Sequence, residues 1–251
     1  MAKLTILGTA PALPEPFREY TYMVLQGGES VILIDCASSP VQRLAQAGIN
    51  FQAVDHLIIT HYHPDHMYGV PVFLLDLWLA GRQRPLHIYG PPDTARVIPA
   101  MMALYGWHDW PGFYPIEFHE VEMAVGSLVL DSADFRITAA PAEHLVPTIA
   151  LRVLCKETGG VAAYSSDTEP CEAVMHLAQG ADLLIHESTG VQAGHSSSSA
   201  AGAIARFAGA KKLVLVHYPA QGIDVDQLWG EAEIEFGRPV ELACDFASYE
   251  F

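Results

Sequence analysis

The seven residues THYHPDH, 60–66, place His61, His63, Asp65 and His66 within six positions, directly after the apolar run VDHLIIT (54–60). A short β-branched run of that kind reads as a strand. The polar loop after it would stand at a sheet edge, where backbone ends can aim several side chains inward. Imidazole and carboxylate are the donors that zinc and related divalent ions prefer. Four of them in one loop either stay solvated or gather round a cation, and following a buried strand the second reading is the stronger.

Working outward, three more segments end in the same kind of residue: ITAAPAEH at His144, VAAYSSD at Asp167 and KLVLVH at His217. Each alone is as readily a cap or a turn residue. Taken together with the loop they make seven nitrogen and oxygen donors. Seven is too many for one tetrahedral ion, so the expectation is one sheet edge at which they converge on two metals.

The rest of the chain reads as the scaffold for that edge. LTILG (4–8), TYMVLQ (21–26) and SVILID (30–35) are short apolar runs separated by Gly and Pro, expected as three strands, with Gly27 and Gly28 in a hairpin turn. Ser39 and Pro40 open a helix that Gly48 stops. A helix is expected from about Met67 to Leu79, then a strand at LHIY (86–89). GSLVLDS, DFRITAA, TIALRVL and GVAAYSS read as further strands, followed by a helix from Pro170 to Gln179 and a strand at DLLIHE. A Ser- and Ala-rich helix near 197–207, the strand at 212–217, an acidic helix near 224–235 and a last strand around VELACDF complete the chain. Strands early and helices late in each half favour packed sheets with helices outside. No linker marks a boundary, so residues 1–251 are expected to form a single domain.

Composition narrows the function classes. Hydrophobic residues make up 51% and charged residues 17%, enough apolar side chain to bury a sizeable core. Thirteen Lys and Arg against 29 Asp and Glu give a net charge of -16. That balance weighs against a broad nucleic-acid or anionic-membrane footprint. A small anionic substrate stays open, because bound cations can reverse the local field. Cys36, Cys155, Cys171 and Cys244 form no C-x-x-C pair, which points away from a zinc ribbon or disulfide framework and towards a reducing compartment. No signal-peptide core follows Lys3, and VPVFLLDLWLA from Val70 is interrupted by Asp76 and too short to span a bilayer. The expectation is a cytoplasmic protein with no membrane partner.

On these residues the chain resembles the metallo-β-lactamase superfamily, whose H-x-H-x-D-H signature is met in full by His61, His63, Asp65 and His66. The resemblance runs from ILGTA (6–10) and VILIDC (31–36) to VHY at 216–218, nearly the whole chain. It implies an α/β fold, the four-layer αββα sandwich. It also implies two divalent ions, zinc by preference with manganese or iron as alternatives. One ion would take His61, His63 and His144, the other Asp65, His66 and His217, with Asp167 bridging. A hydroxide held between them would be the nucleophile.

ADLLIHEST (181–189), GHSSSSAAGAIA (194–205) and KLVLVHYP (212–219) are similar to the ribonuclease Z and small-phosphodiesterase branch. By that resemblance His195 would assist the leaving oxygen and Glu187 would orient its ring, joining Asp65 as the catalytic residues. A helix cap at Ser196 with a solvated neighbour is the plainer reading. Branch members are often dimers, so a homodimer is implied.

Two departures shape the substrate expectation. The tRNA-processing members carry a long arm between the positions matching His144 and Asp167, where this chain has room only for a strand pair. The loop PALPEPFREY (11–20) lacks their basic, Asn-containing element. The expectation is therefore a small phosphodiester, cyclic phosphate or other small ester, with no extended nucleic-acid binding. A lactonase, thioesterase or arylsulfatase could use the same donors, as could a di-iron redox protein or a metal-binding protein without turnover. The aromatic segment LYGWHDWPGFYPIEFHE (104–120) could wall a pocket, form a dimer contact or cover the core. His56, His87 and His176 read as ordinary strand or helix residues, His186 as core or support, and His108 and His119 carry no assigned role.

Overall fold

The opening apolar runs pair as antiparallel strands β1 (Lys3–Gly8), β2 (Tyr22–Gln26) and β3 (Val31–Ile34). The computed structural model describes residues 2–13 and 15–251, so Pro14 of the 11–20 loop lies outside the described residues. Helix α1 (Pro40–Gln46) starts at Pro40 as expected, although the Ser39 side chain makes no capping hydrogen bond. After β4 (His56–Ile58) the expected helix begins later, as α3 (Val70–Leu79), and the loop before it holds a separate short helix, α2 (Pro64–Met67). The two are separated at Gly69, whose amide donates to Cys36 O and whose absent Cβ would lie 2.9 Å from the Ala37 backbone. Only glycine permits that approach.

Strand β5 (Leu86–Gly90) is followed by α4 (Pro92–Ala103) and β6 (Ile116–Glu120), neither of which was read from sequence. The second half runs β7 (Ser127–Asp131), β8 (Phe135–Ala142), β9 (Thr148–Cys155), β10 (Val161–Tyr164), α5 (Glu172–Leu177), β11 (Leu183–Glu187), α6 (Ser198–Ala208), β12 (Lys212–Val216), α7 (Val225–Phe236), β13 (Val240–Leu242) and β14 (Ser248–Glu250). The expected last strand shortens to β13, and β14 beyond it is an additional strand. β13 closes the second sheet, and β14 crosses over to pair with β1.

Two seven-stranded mixed sheets result, in the orders β14-β1-β2-β3-β4-β5-β6 and β13-β12-β11-β10-β9-β8-β7. Their facing sides meet in one core: Leu4, Ile6, Met23, Ile34 and Ile58 from the first pack against Ile137, Leu151, Tyr164, Ile185 and Val214 from the second. The outer side of the first sheet is covered by α1, α3 and α4 through Leu44, Phe73, Leu77 and Ile98. The outer side of the second is covered by α6 and α7 through Ile204, Ala205, Ala232 and Phe236. This alternation of faces along each strand builds the four layers of the αββα sandwich.

The aromatic segment packs on the first helical layer. Trp110 stacks on Trp78 with centroids 5.1 Å apart, and the buried Tyr114 donates its hydroxyl to Leu74 O. Trp107, Phe113 and Phe118 add to the same outer core. Among the described residues no helix is long and apolar enough to cross a membrane, and all four cysteines are free thiols.

Candidate metal centre

The site lies where β4, β8, β10, β11 and β12 end, along one rim of the two sheets. Three residues there turn the chain through left-handed backbone, Asp35 (φ 60°), Ser166 (φ 54°) and His217 (φ 50°). Such conformations persist for non-glycine residues only where the surroundings enforce them. Amides at strand ends tie the rim together: Ile149 N donates to Thr60 O and His217 N donates to Thr9 O.

All seven sequence-predicted ligands meet here. His61, His63 and His144 form one group of facing donor atoms, and Asp65, His66, Asp167 and His217 form another. Asp167 Oδ2 lies between them, 3.9 Å from Nε2 of both His61 and His144, 3.4 Å from His66 Nε2 and 3.6 Å from His217 Nε2. Asp65 Oδ2 stands 3.5 Å from His66 Nε2 and 3.4 Å from His217 Nε2. Donors bound at about 2.1 Å to a tetrahedral ion are spaced roughly 3.4 Å apart, so these separations suit ligands sharing a cation.

The ring tautomers are set from behind. Thr60 Oγ1 donates its one proton to Asp35 Oδ2, so it accepts from His61 Nδ1 at 3.1 Å. Thr189 Oγ1 donates to His217 O and accepts from His217 Nδ1 at 2.7 Å. His66 Nδ1 donates to Asp35, and His144 Nδ1 donates to Gly194 O. Four imidazoles thereby carry a proton on Nδ1, which leaves Nε2 as the ring atom turned toward the donor cluster and available to a ligated ion. His63 is the exception, presenting Nδ1 3.0 Å from His144 Nε2. Gly194 is fixed at φ +81°, and a Cβ there would strike His144 Nδ1 at 2.8 Å.

His61 Nε2, His66 Nε2 and Asp167 Oδ1 are buried without a hydrogen-bond partner. Buried polar atoms normally find one, and three orphans within the two adjoining donor groups fit bound divalent ions. Burial opposes charge on Asp167, yet His217, His66 and His61 around it hold its carboxyl well below the usual range. Burial, reinforced by His66, pushes His61 well down, keeping it neutral. The residues present therefore suit the divalent metal ions of this fold.

Beside them, His195 Nδ1 donates to Glu187 Oε1 at 3.0 Å and lies 4.0 Å from Asp167 Oδ2. Glu187 is fully buried at the end of β11 and also accepts from the amides of Thr168, Ser196 and Thr189. Burial lowers the His195 pKa, but the Glu187 hydrogen bond and charge outweigh it and raise the ring above its ordinary value. Ser196 is no helix cap: its hydroxyl donates to Thr168 O, and Ser197 caps α6. A pocket of about 380 Å³ opens over His195 and His217, walled by Ala12, Leu13, Thr189 and Gln192; nothing from 104–120 lines it. Sequence reasoning missed Asp35 and Thr189. An aspartate closing the apolar run VILID was the one available signal for the first.

A family model described as a beta-lactamase superfamily domain matches residues 31–218. Ribonuclease Z from Methanothermobacter thermautotrophicus is 31% identical, the match covering 86% of this chain and 86% of that protein. Among solved structures, the metallo-beta-lactamase fold protein YhfI from Bacillus subtilis superposes with a TM-score of 0.82 at 25% identity, over 99% of this chain and 98% of that one. The short form of human tRNase Z does so with a TM-score of 0.80 at 26% identity, over 99% and 98%.

These relatives overturn the expectation of a small-molecule ester substrate with no nucleic-acid partner, since ribonuclease Z and tRNase Z, to which this chain is similar, bear the names of RNA nucleases. The acidic net charge misled because it averages the whole surface, whereas the field at a cation-holding rim is set locally. The chain is a metallo-β-lactamase-fold hydrolase and belongs to the beta-lactamase superfamily, within its ribonuclease Z family.

Proposed function

We propose that this protein is a dinuclear, zinc-dependent phosphodiesterase that cleaves RNA in the manner its relatives' names imply. The observation that carries this is the position of Asp167 Oδ2, 3.4 to 3.9 Å from imidazole nitrogens of both donor groups and 4.0 Å from His195. In this reading His61, His63 and His144 hold one ion, Asp65, His66 and His217 the other, and Asp167 serves both. Divalent ions held there supply Lewis-acid polarisation of the phosphodiester and acidify coordinated water.

The chain's own groups supply the remainder. Asp65 and Asp167 place two carboxylates among five imidazoles, balancing charge at the reacting centre. Glu187 fixes the His195 ring through Nδ1, which leaves Nε2 to carry the proton that the departing oxygen takes. The buried amides on Glu187 keep that carboxylate aimed, so the ring cannot rotate away. Between His144 and Asp167, where the resemblance places the arm of the tRNA-processing enzymes, this chain has only the strands β9 and β10 joined by a tight turn.

The test is zinc- or manganese-loaded protein given a 5′-labelled RNA hairpin with a single-stranded 3′ tail, beside bis(p-nitrophenyl) phosphate as a chemical probe. A discrete shortened RNA, lost in Asp167→Ala, is the expected result. Hydrolysis of the probe with RNA left intact would overturn the RNA substrate. Failure on both with metal bound would overturn the phosphodiesterase reading.

A further inference from the structure

Away from the rim, the strands β4, β5 and β6 carry a second group of donors that shares no residue with the first. His56 pairs in register with His87, and His87 with Glu117, while Tyr89 pairs with His119. Alternation along a strand puts His87, Glu117 and His119 on one face. His87 Nδ1 lies 3.1 Å from His119 Nε2 and 3.3 Å from Glu117 Oε2. Those separations approach the roughly 3.4 Å edge of a tetrahedron of nitrogen and oxygen ligands around a zinc-sized ion.

Without a cation, this arrangement has to share a single proton among three donor atoms. One ring nitrogen faces both an imidazole nitrogen and a carboxylate oxygen, and it has at most one proton to give. If His119 donates instead, the carboxylate is left against a lone pair. A cation resolves both conflicts. The rings are also held in place from either side: His56 stacks on His87 with centroids 5.3 Å apart, and Tyr89 on His119 at 4.5 Å. Burial, then His87, holds His119 below its ordinary value, which leaves the ring in its ligating form. Glu117 is exposed, so ions can enter from solvent.

We propose that His87, Glu117 and His119 form an additional transition-metal site, one ion per chain, that clamps the edge strand β6 to β5. β6 has a neighbour on one side only, so its ladder hydrogen bonds run to β5 alone. A metal spanning β5 and β6 ties down the strand that carries the end of the aromatic segment. The site is structural, stands apart from the phosphodiesterase reading and needs no turnover to be detected.

The experiment counts zinc retained after gel filtration in the wild type and in the double variant His87→Gln/His119→Gln, with far-UV circular dichroism confirming fold. One equivalent fewer in the variant, with phosphodiesterase activity unchanged, is expected. Zinc should also raise the melting temperature of the wild type more than that of the variant. Equal zinc counts in two folded proteins would overturn the site. Should the double variant not fold, Glu117→Gln replaces it: release of one ion at lower chelator concentration supports the site, and an unchanged release curve overturns it.

Discussion

His66 Nδ1 donates to Asp35 Oδ2 at 2.9 Å, and both side chains are completely buried. Asp35 also accepts from the Thr60 amide and hydroxyl. One carboxylate therefore orients His66 directly and His61 through Thr60, reaching both donor groups without touching either ion's position. Second partners of this kind are worth about 10- to 100-fold in metal affinity. Asp35→Asn should weaken zinc binding by about that factor at both positions while leaving all seven ligands in the chain. Competition against a chelator measures it, and unchanged affinity would refute the orienting role.

Asp167 is the side chain common to both groups, so its loss should be felt twice. Asp167→Ala is expected to lose the metal pair and with it phosphodiester turnover. Metal analysis of the purified variant decides this, and full retention of both ions would remove Asp167 from the site.

His195 touches Glu187 and no assigned ligand pair depends on it. His195→Ala should keep both ions and slow hydrolysis by about 10²- to 10⁴-fold, most for poor leaving groups, as expected for loss of a general acid. The acid works while protonated, so the rate falls as pH rises through its pKa. Glu187 raises that pKa; Glu187→Gln should therefore move the alkaline limb of the rate profile to lower pH than in the wild type. A limb that stays in place would assign the proton to another group.

Trp110 stacks on Trp78 and belongs to the outer core rather than to the pocket over His195. Trp110→Ala should lower stability by roughly 1–3 kcal/mol through lost burial and ring contact and leave KM for an ester substrate unaltered. Denaturant unfolding and steady-state kinetics on the same preparation separate the two. A raised KM with unchanged stability would return the segment to the substrate pocket.

What was legible in the sequence was legible because it is local. His61, His63, Asp65 and His66 occupy one strand end, so spacing and residue type were enough. His144, Asp167 and His217 could be added because each ends its own apolar run, and the structure brings all of them together. The small-ester expectation failed for the opposite reason: it rested on a missing arm, a loop without a basic element and the net charge of the whole chain, none of which describes the donors at the site. Helix α4 and strand β6 escaped because Pro99 and the dense aromatic residues of 104–120 obscure their periodicity.

By itself, then, the sequence determined a strand-rich scaffold of packed sheets with helices outside, the αββα sandwich by resemblance, and a set of seven donors placed at strand ends. Only the tertiary structure decided which ring nitrogens face the centre, since that depends on Asp35, Thr60, Thr189 and Gly194 lying behind the rings. It also decided that β14 pairs with β1 and that His87, Glu117 and His119 meet. Apart from the neighbours Thr60 and His61, and Glu117 and His119, these relations join residues tens to hundreds of positions apart, and strand register, which no local pattern encodes, sets which of them face each other.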